Sequence, residues 1–513
     1  MLELAPNFIL AILPILWLLI ALAVMKMPAH KAMAITFAIA FVEAILYWQL
    51  PAINALTAGV EGVLNALWPI CLVIISALFI YNLTVRTGAM ETIKNILIGV
   101  SADQRVLSLL IAWGFGNFLE SMAGFGTPVA IPAAILAGIG VNPILAIVGC
   151  LVVNSAPTAF GSVGIPTTTL NAVTGLDPLS LSSAISSLQI ITALISPFFL
   201  MIIVGGGLKG LKGMIPTTLV ASLSFCLPYF FIAQFMGPEL PDILGSICSM
   251  VCIVIAARIF NQKVPEEYTI TATNTVSISV MDGVKAWLPF ILVAVLLVIT
   301  SNLCPAIHDP LAVFKSSITV YAGDNPNTLS FSWVNTPGVW IFLSAIIGGL
   351  VQGANFGVLG SVFMETMKKY WKTILTICLV LATAKVMGYA GMIADIAAFL
   401  VVATGPAYPV IAPLIGALGA FVTGSATNTA VLFGGLQAQT AAGLGLNQSW
   451  IAGANLFGAG IGKMIAPQNL AVGAAAVDMS GQESKIMSAV LPYFILYIVL
   501  AGIITMAGTM MGL

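Results

Sequence analysis

The chain has 513 residues, of which 60% are hydrophobic and only 7% are charged. Soluble proteins average about 45–50% apolar and about 25% charged residues, so this composition excludes a water-soluble fold. With 17 Lys and Arg against 18 Asp and Glu the net charge is near zero, which argues against nucleic acid as a partner. We therefore expect an all-α polytopic membrane protein whose surroundings are the lipid bilayer.

Twelve apolar runs are long enough to cross a bilayer. They cover residues 8–24, 33–49, 64–84, 143–162, 185–206, 214–237, 243–260, 286–303, 337–358, 372–391, 449–470 and 486–510. Fourteen of the 17 basic residues lie in or beside six of the loops that connect these runs. The positive-inside rule makes these loops cytoplasmic, and both termini are then predicted to lie outside.

Two further apolar stretches, 106–140 and 408–445, cannot be complete crossings if all six basic loops are to lie on the same side of the membrane. Each is interrupted near its middle by glycines and small polar residues, at 119–128 and at 423–429. We interpret both as re-entrant hairpins with those interruptions as their tips. The charge rule brings the first in from the cytoplasm and the second from the opposite side, so the two are inverted.

An internal repeat supports this interpretation without reference to charge. Two triplets share identical spacings of 7 and 5 residues, namely Asn154, Gly161 and Pro166, and Asn455, Gly462 and Pro467. The single transporter domain, 1–513, is therefore expected to contain two units of hairpin and broken helix, 106–170 and 408–473. Inverted repeats with interrupted helices indicate a transporter site near the bilayer midplane.

The glycine-rich tips predict an anion site, because two facing helix N-termini present free backbone N–H groups and positive dipole ends. The alternative is that the glycines only permit close helix packing. The candidate substrate-binding residues are Ser121, Gly124, Gly126, Thr127, Asn154, Ser425, Thr427, Asn428, Thr429, Asn455 and Lys463.

Charged residues within apolar segments are functional candidates, since each is costly to insert into a bilayer. Glu120, in the first tip, is the candidate for proton coupling. Lys463 is expected about two-thirds along the span after the second hairpin, and the two side chains could equally form a structural ion pair. Lys385, Glu43 and Gln468 are possible further site residues.

Catalytic and metal-binding patterns are absent from the sequence. The two histidines form no H-E-x-x-H, there is no G-x-S-x-G, and the seven cysteines include no C-x-x-C. The glycine run at 458–464 lacks the spacing and the Ser/Thr of a phosphate-binding loop. We expect no enzyme, no metal site and no cofactor.

Three segments, 117–131, 153–161 and 462–468, resemble the bacterial lactate permease family, as do the shorter matches 102–105 and 237–243. The resemblance implies uptake of L-lactate, D-lactate and glycolate with protons across the bacterial cytoplasmic membrane. Glu120 then matches the family's F-L-E motif and Lys463 its G-K-M motif. The chain departs from the family in having Ala426 where many members have aspartate, and Lys385 where an apolar residue is usual.

Two other functions stay open at this point. One is a sodium-coupled carrier of other organic anions. The other is a proton-translocating subunit of a respiratory complex, which would need a row of ionisable residues across several spans. The sequence leaves the preferred carboxylate, the coupling ion and its stoichiometry, the direction of flux and the oligomeric state undetermined.

Overall fold

The computed structural model describes residues 4–23, 25, 27–124, 126–260, 264–270, 278–301, 303–324, 326 and 328–513. Predicted features that fall on Val24, Lys26, Phe125, Lys263 and Asn302 lie outside the described residues.

The described chain is almost wholly helical, as its composition predicts. The helices are α1 Ala5–Ala23, α2 Ala29–Leu46, α3 Ala52–Asn65, α4 Leu72–Arg86, α5 Ala89–Ile98, α6 Gln104–Ser108, α7 Gly116–Met122, α8 Thr127–Gly138, α9 Pro143–Asn154, α10 Gly161–Thr174, α11 Pro178–Val204, α12 Ile215–Phe235, α13 Pro241–Ile259, α14 Val280–Ile299, α15 Pro305–Ala312, α16 Pro337–Val351, α17 Phe356–Ala390, α18 Met392–Thr404, α19 Tyr408–Thr423, α20 Ala426–Gly443, α21 Gln448–Gly462, α22 Pro467–Ala476 and α23 Glu483–Met510.

Short irregular elements join several of these helices. The turns Ala66–Cys71 and Leu109–Phe115 are π-helical, whereas Pro157–Phe160, Leu208–Leu211, Glu266–Tyr268, Gly405–Ala407 and Lys463–Ile465 are 3-10. Strands β1 Lys315–Thr319 and β2 Thr328–Ser332 pair antiparallel, with Lys315 opposite Ser332. They lie in the polar loop between α15 and α16.

The predicted number of spans is not confirmed. Within the described residues nine helices are long and apolar enough to cross a membrane, or ten if the bent pair 143–174 counts as one. The run 449–470 is interrupted after Gly462, and 337–358 forms only the 15-residue helix α16. Helix α18 was not anticipated. Hydropathy alone does not distinguish an interrupted helix from a continuous one.

In both segments predicted to be hairpins the chain turns back between packed helices, whereas their re-entrant insertion from opposite sides of a membrane stays a prediction. The first comprises residues 104–138 and turns between Met122 and Thr127, and the second consists of α19 and α20. The observed tips are shorter than predicted because helix continues on either side of them. Gly124, Gly126 and Gly424 have φ values of +56°, +85° and +66°, which only glycine adopts without strain.

Each hairpin is followed by a broken helix, and the first break begins after Asn154 and the second after Gly462. Helix α9 meets the segment Pro157–Thr174, which comprises the turn Pro157–Phe160 and α10, at 62°. Helices α21 and α22 are separated by Lys463–Ile465. The residues that were predicted to lie in one continuous span, Lys463 among them, therefore lie at a discontinuity.

The second hairpin lies directly against the second broken helix. A Cβ on Gly458 would lie 1.7 Å from the Pro413 carbonyl oxygen, and one on Gly416 would lie 2.0 Å from that of Asn455. Such backbone contact is how small residues allow helices to associate in membranes. The glycines of this segment therefore hold α19 against α21.

Loops that the charge rule assigns to one side contact one another. Arg105 pairs with Asp103 at 2.8 Å and donates to the Lys212 carbonyl at 3.0 Å, while Lys209 pairs with Glu267 at 3.0 Å. The Arg105–Lys212 contact joins the predicted cytoplasmic loop before the first hairpin to the loop after α11, and the Lys209–Glu267 pair joins the loop after α11 to the loop after α13. The side of the membrane on which they lie stays a prediction.

Candidate functional site

The two repeats meet at a buried ion pair. Lys463 Nζ lies 2.8 Å from Glu120 Oε1, and the side chains are only 11% and 5% exposed. Glu120 is in the last turn of α7, just before the first tip and not within it as predicted. Lys463 follows the last residue of α21. The pair therefore connects the first hairpin to the break of the second broken helix.

The break of the first broken helix supplies the remaining partners. Asn154 Nδ2, at the end of α9, donates to Glu120 Oε2 at 3.1 Å, and Lys463 Nζ lies 3.4 Å from Thr158 Oγ1. Both Glu120 oxygens are therefore hydrogen-bonded. A buried carboxylate and ammonium are tolerable only when paired in this way, since removing one partner typically costs about 3–5 kcal/mol.

Gly161 provides the space for the Glu120 carboxyl. A Cβ at this position would lie 2.6 Å from Glu120 Oε1, which is closer than any carbon can approach. The following residues Ser162, Val163 and Gly164 have φ values of +46°, +57° and +76°. A left-handed stretch with two non-glycine residues is strained, and such strain tends to occur at functional sites.

Side chains satisfy the backbone groups freed by the breaks. Thr158 donates to the Asn154 carbonyl at 2.6 Å, Thr167 to the Ala159 carbonyl at 2.8 Å, and Asn469 to the Lys463 carbonyl at 3.0 Å. Irregular backbone at membrane depth needs such partners. The breaks are consequently built into the fold.

The tip hydroxyls mostly bind their own backbone. Ser121 donates to the Phe118 carbonyl and Thr127 to the Gly124 carbonyl, at 2.7 and 2.8 Å. Ser425 caps α20 by accepting from Asn428 N at 3.3 Å, and Thr429 donates to the Ser425 carbonyl at 2.8 Å. These contacts fix the tips, and a ligand would have to share or replace them.

A cavity of about 370 Å³ opens at the second tip. Among its lining residues are Ser425, Thr427, Asn428, Gln468 and Asn469. Four of these were predicted from the sequence, whereas Asn469 was not. Its volume falls within the range of small-molecule sites, about 300–1,000 Å³.

Both tips contact α22. A Cβ on Gly126 would lie 3.0 Å from Val472 Cγ1, and one on Gly424 would lie 2.7 Å from Gln468 Oε1. Val472 and Gln468 line the cavity at the second tip. At the first tip a Cβ on Gly124 would lie 2.7 Å from Ser162 Oγ, so that tip also touches the first break.

Asn455 contacts the second hairpin and not the ion pair. Its Nδ2 donates to the Thr429 carbonyl at 3.2 Å, and its buried Oδ1 has no hydrogen-bond partner among the described residues. The two asparagines of the repeat thus differ, because Asn154 contacts the Glu120 carboxylate directly.

Two of the possible site residues lie elsewhere. Lys385 pairs with the fully buried Glu61 at 2.8 Å, and Tyr389 also donates to that carboxylate at 2.9 Å. Lys385 lines a second cavity of about 510 Å³ together with Asn171. Glu43, in α2, lines none of the cavities described here. The structure therefore does not group Lys385 or Glu43 with Glu120.

Sequence reasoning missed Thr158, Asp242 and Glu61. Asp242 is fully buried at the start of α13, and it belongs to the quoted segment 237–243, where a carboxylate beside an apolar run could have been noticed. Glu61 was assigned to a loop because the span was expected to begin at residue 64, whereas α3 begins at Ala52. Within the described residues, no three His, Cys, Asp or Glu side chains are grouped as metal ligands.

Known proteins similar to this chain are transporters. A family model described as L-lactate permease matches residues 7–511. An L-lactate permease from Streptococcus iniae is 41% identical over 86% of this chain and 93% of its own. The glycolate permease GlcA from Escherichia coli K12 is 33% identical over 98% of this chain and 95% of its own.

A solved structure shares the fold. MtrF from Neisseria gonorrhoeae, described as illuminating a class of antimetabolite efflux pumps, superposes with a TM-score of 0.55. The match covers 96% of this chain and 97% of the other at 14% identity. At that identity the likeness concerns the architecture alone.

Proposed function

The chain belongs to the L-lactate permease family, and from that premise we propose that it takes up lactate and glycolate by proton symport. It is a multi-pass membrane protein, a transporter and not an enzyme. Relatives named for lactate and for glycolate support small 2-hydroxymonocarboxylates as the substrate class. We assign it to the bacterial cytoplasmic membrane with both termini outside.

Lys463 is the proposed partner of the substrate carboxylate. Its ammonium pairs with Glu120 at 2.8 Å. A lactate carboxylate can replace Glu120 at Lys463, so the cation keeps a partner while the substrate binds. The backbone donors and hydroxyls of both tips, with Asn154, Asn428 and Asn455, lie on the elements around this pair and would complete the site.

Glu120 is the proposed proton carrier. Once lactate has taken its place beside Lys463, the Glu120 carboxylate is buried without a cation, which is costly. Protonation removes that charge. The loaded site, with lactate, Lys463 and neutral Glu120, then carries the same net charge as the empty one. Binding of the anion and of the proton thus become coupled.

Access from alternate sides is proposed to depend on the two hairpins. The cavity at the second tip gives one side a route to Ser425, Thr427 and Asn428. Both tips touch α22, so a shift of one hairpin against this helix would close one route and open another. Rocking of one repeat against the other is the usual way in which such folds alternate.

The observation that carries the proposal is the buried Glu120–Lys463 pair. It places one acid and one base, each from a different repeat, in contact where the two broken helices meet. A sodium-coupled carrier would instead need a site of several oxygen ligands. The pair is the feature that favours proton coupling.

Uptake into proteoliposomes tests the proposal. Purified protein is reconstituted, a proton or a sodium gradient is imposed, and the entry of labelled lactate, glycolate, pyruvate and succinate is followed. We expect accumulation of lactate and glycolate under the proton gradient alone. Accumulation driven by sodium without a proton gradient would contradict the proposed coupling, and preference for succinate would contradict the substrate class.

A further inference from the structure

Asp242 is a buried carboxyl to which the coupling described above gives no role. It is fully buried in the first turn of α13, and neither oxygen has a hydrogen-bond partner among the described residues. An ionised carboxylate without partners is unstable in such a place. Buried polar groups that lack partners require an explanation, and a catalytic or transport role is one.

The charges that face Asp242 are those of the proposed site. Asp242 interacts electrostatically with Glu120 and Lys463, and also with Tyr229 of α12. Helix α13 packs directly against α7, which carries Glu120. Because Lys463 is paired with Glu120, no cation pairs with Asp242 among the described residues. It is therefore placed to exchange a proton with the pair.

A cavity is lined by residues that shortly precede Asp242 in the chain. It has a volume of about 320 Å³ and is lined by Glu239, Asp177, His308, Thr300 and Ser301, among others. A water molecule occupies about 30 Å³ of liquid, so the cavity can hold roughly ten. It lies where α12 ends and α13 begins, next to the predicted external loop that contains His308.

Glu239 connects this cavity with Asp242. It lines the cavity three residues before Asp242, and burial raises the pKa of its carboxyl to about 7. The neighbouring Pro238 carbonyl meets the first break, since a Cβ on Gly164 would lie 2.4 Å from it. Pro238 lines the cavity, so its wall is in contact with the left-handed stretch 162–164, which follows Gly161 beside the Glu120 carboxyl.

We propose that the coupling proton enters from this cavity and reaches Glu120 through Glu239 and then Asp242. When lactate has displaced Glu120 from Lys463, the protonated Asp242 carboxyl gives its proton to the Glu120 carboxylate. Glu239 then reprotonates Asp242, and a hydronium ion in the cavity reprotonates Glu239 and leaves water. The two transfers between side chains each move one proton from a carboxyl group to a carboxylate, over a bridging water or by side-chain rotation. The inference rests on the proposed function and adds the route.

The test compares Asp242→Asn with Glu120→Gln and with Asp395→Asn as a matched control. Asp395 is a partly buried carboxyl that accepts from Trp48 and Asn7, far along the chain from the site. Each variant is reconstituted, and three quantities are measured: lactate binding, lactate exchange between equal concentrations, and lactate accumulation under an imposed proton gradient. Exchange needs binding and movement of the loaded carrier but no net proton transfer.

We expect Asp242→Asn to bind and exchange lactate normally while proton-driven accumulation slows by about tenfold or more, a modest value for a lost proton-transfer group. Asp395→Asn should resemble the unmodified protein. Asp242→Glu, which restores a titratable group, should recover part of the rate. Glu239→Gln should reduce accumulation most when the side bearing the cavity is above pH 7.

Each other outcome overturns the inference. If Asp242→Asn accumulates lactate normally while Glu120→Gln does not, the route is wrong and the proposed coupling stands. If Glu120→Gln also accumulates lactate normally, both the proton route and the proposed coupling at Glu120 are wrong. If folded Asp242→Asn neither binds nor exchanges lactate, Asp242 serves the substrate site and not the proton route.

Discussion

Glu120 and Lys463 are 343 positions apart in the sequence, yet Oε1 and Nζ lie 2.8 Å apart. One side chain ends the first arm of the first hairpin, and the other begins the break of the second broken helix. Neither repeat can form this pair alone. Any movement of the first hairpin against the second broken helix must therefore lengthen, break or carry with it this buried ion pair.

Removal of the cation should weaken substrate binding. Charge-assisted hydrogen bonds contribute about 1.5–3 kcal/mol, so Lys463→Met should lower lactate affinity by roughly 10- to 150-fold, as measured by calorimetry. It also leaves Glu120 buried without a cation and should destabilise the fold. The double variant Glu120→Gln with Lys463→Met removes both charges and should recover much of the lost stability but not the affinity. Unchanged affinity in folded Lys463→Met would make the pair purely structural.

Gly161 should tolerate no side chain. In Gly161→Ala the new Cβ would lie 2.6 Å from Glu120 Oε1, so the Glu120 carboxyl would have to move. This movement would separate the carboxyl from Lys463 or from Asn154. We expect loss of lactate accumulation with helix content retained, measured by uptake and circular dichroism. Gly138→Ala is the matched control, since a Cβ there meets nothing within 4 Å. Normal uptake by Gly161→Ala would contradict the observed contact.

The proposed orientation can be tested by labelling single cysteines after the seven native ones are replaced. Asp103, an obvious choice from the sequence, is unsuitable because it is buried in an ion pair with Arg105. Exposed Glu91 and Lys368 should react only from the cytoplasm, and exposed Asp324 only from outside. Labelling of the cysteine at position 91 from outside would reverse the assignment.

Stability should depend on pH through Glu239. Burial raises the pKa of its carboxyl from 4.5 to about 7, so between these values the folded protein holds a proton that the unfolded chain releases. The contribution is full below pH 4.5 and is lost as the pH rises to about 7. The thermal unfolding temperature in detergent should fall over this interval, and Glu239→Gln should show a smaller fall. An equal fall in both would assign the dependence to other groups.

The sequence was sufficient to predict the helical class and the two glycine-rich turns at 119–128 and 423–429, whereas the positions of the helix breaks were not predicted. The class and the turns depend on local patterns: apolar length, glycine at a turn and the repeated spacing around Asn154 and Asn455. The span count failed because apolar composition does not reveal where a helix is interrupted. Asp242 and the Lys385–Glu61 pair were missed because residues far apart in the sequence become neighbours only in the folded chain. The Glu120–Lys463 contact was considered, but only the fold shows that the two atoms meet.

The most direct test of proton coupling at Glu120 records lactate entry and internal pH together in proteoliposomes containing the unmodified protein or Glu120→Gln. Gln keeps the size and much of the hydrogen bonding of a protonated Glu but cannot titrate. The unmodified protein should acidify the interior in step with lactate entry and accumulate lactate under a proton gradient. Glu120→Gln should exchange lactate without acidification and without accumulation. Undiminished proton-driven accumulation by Glu120→Gln would contradict the account.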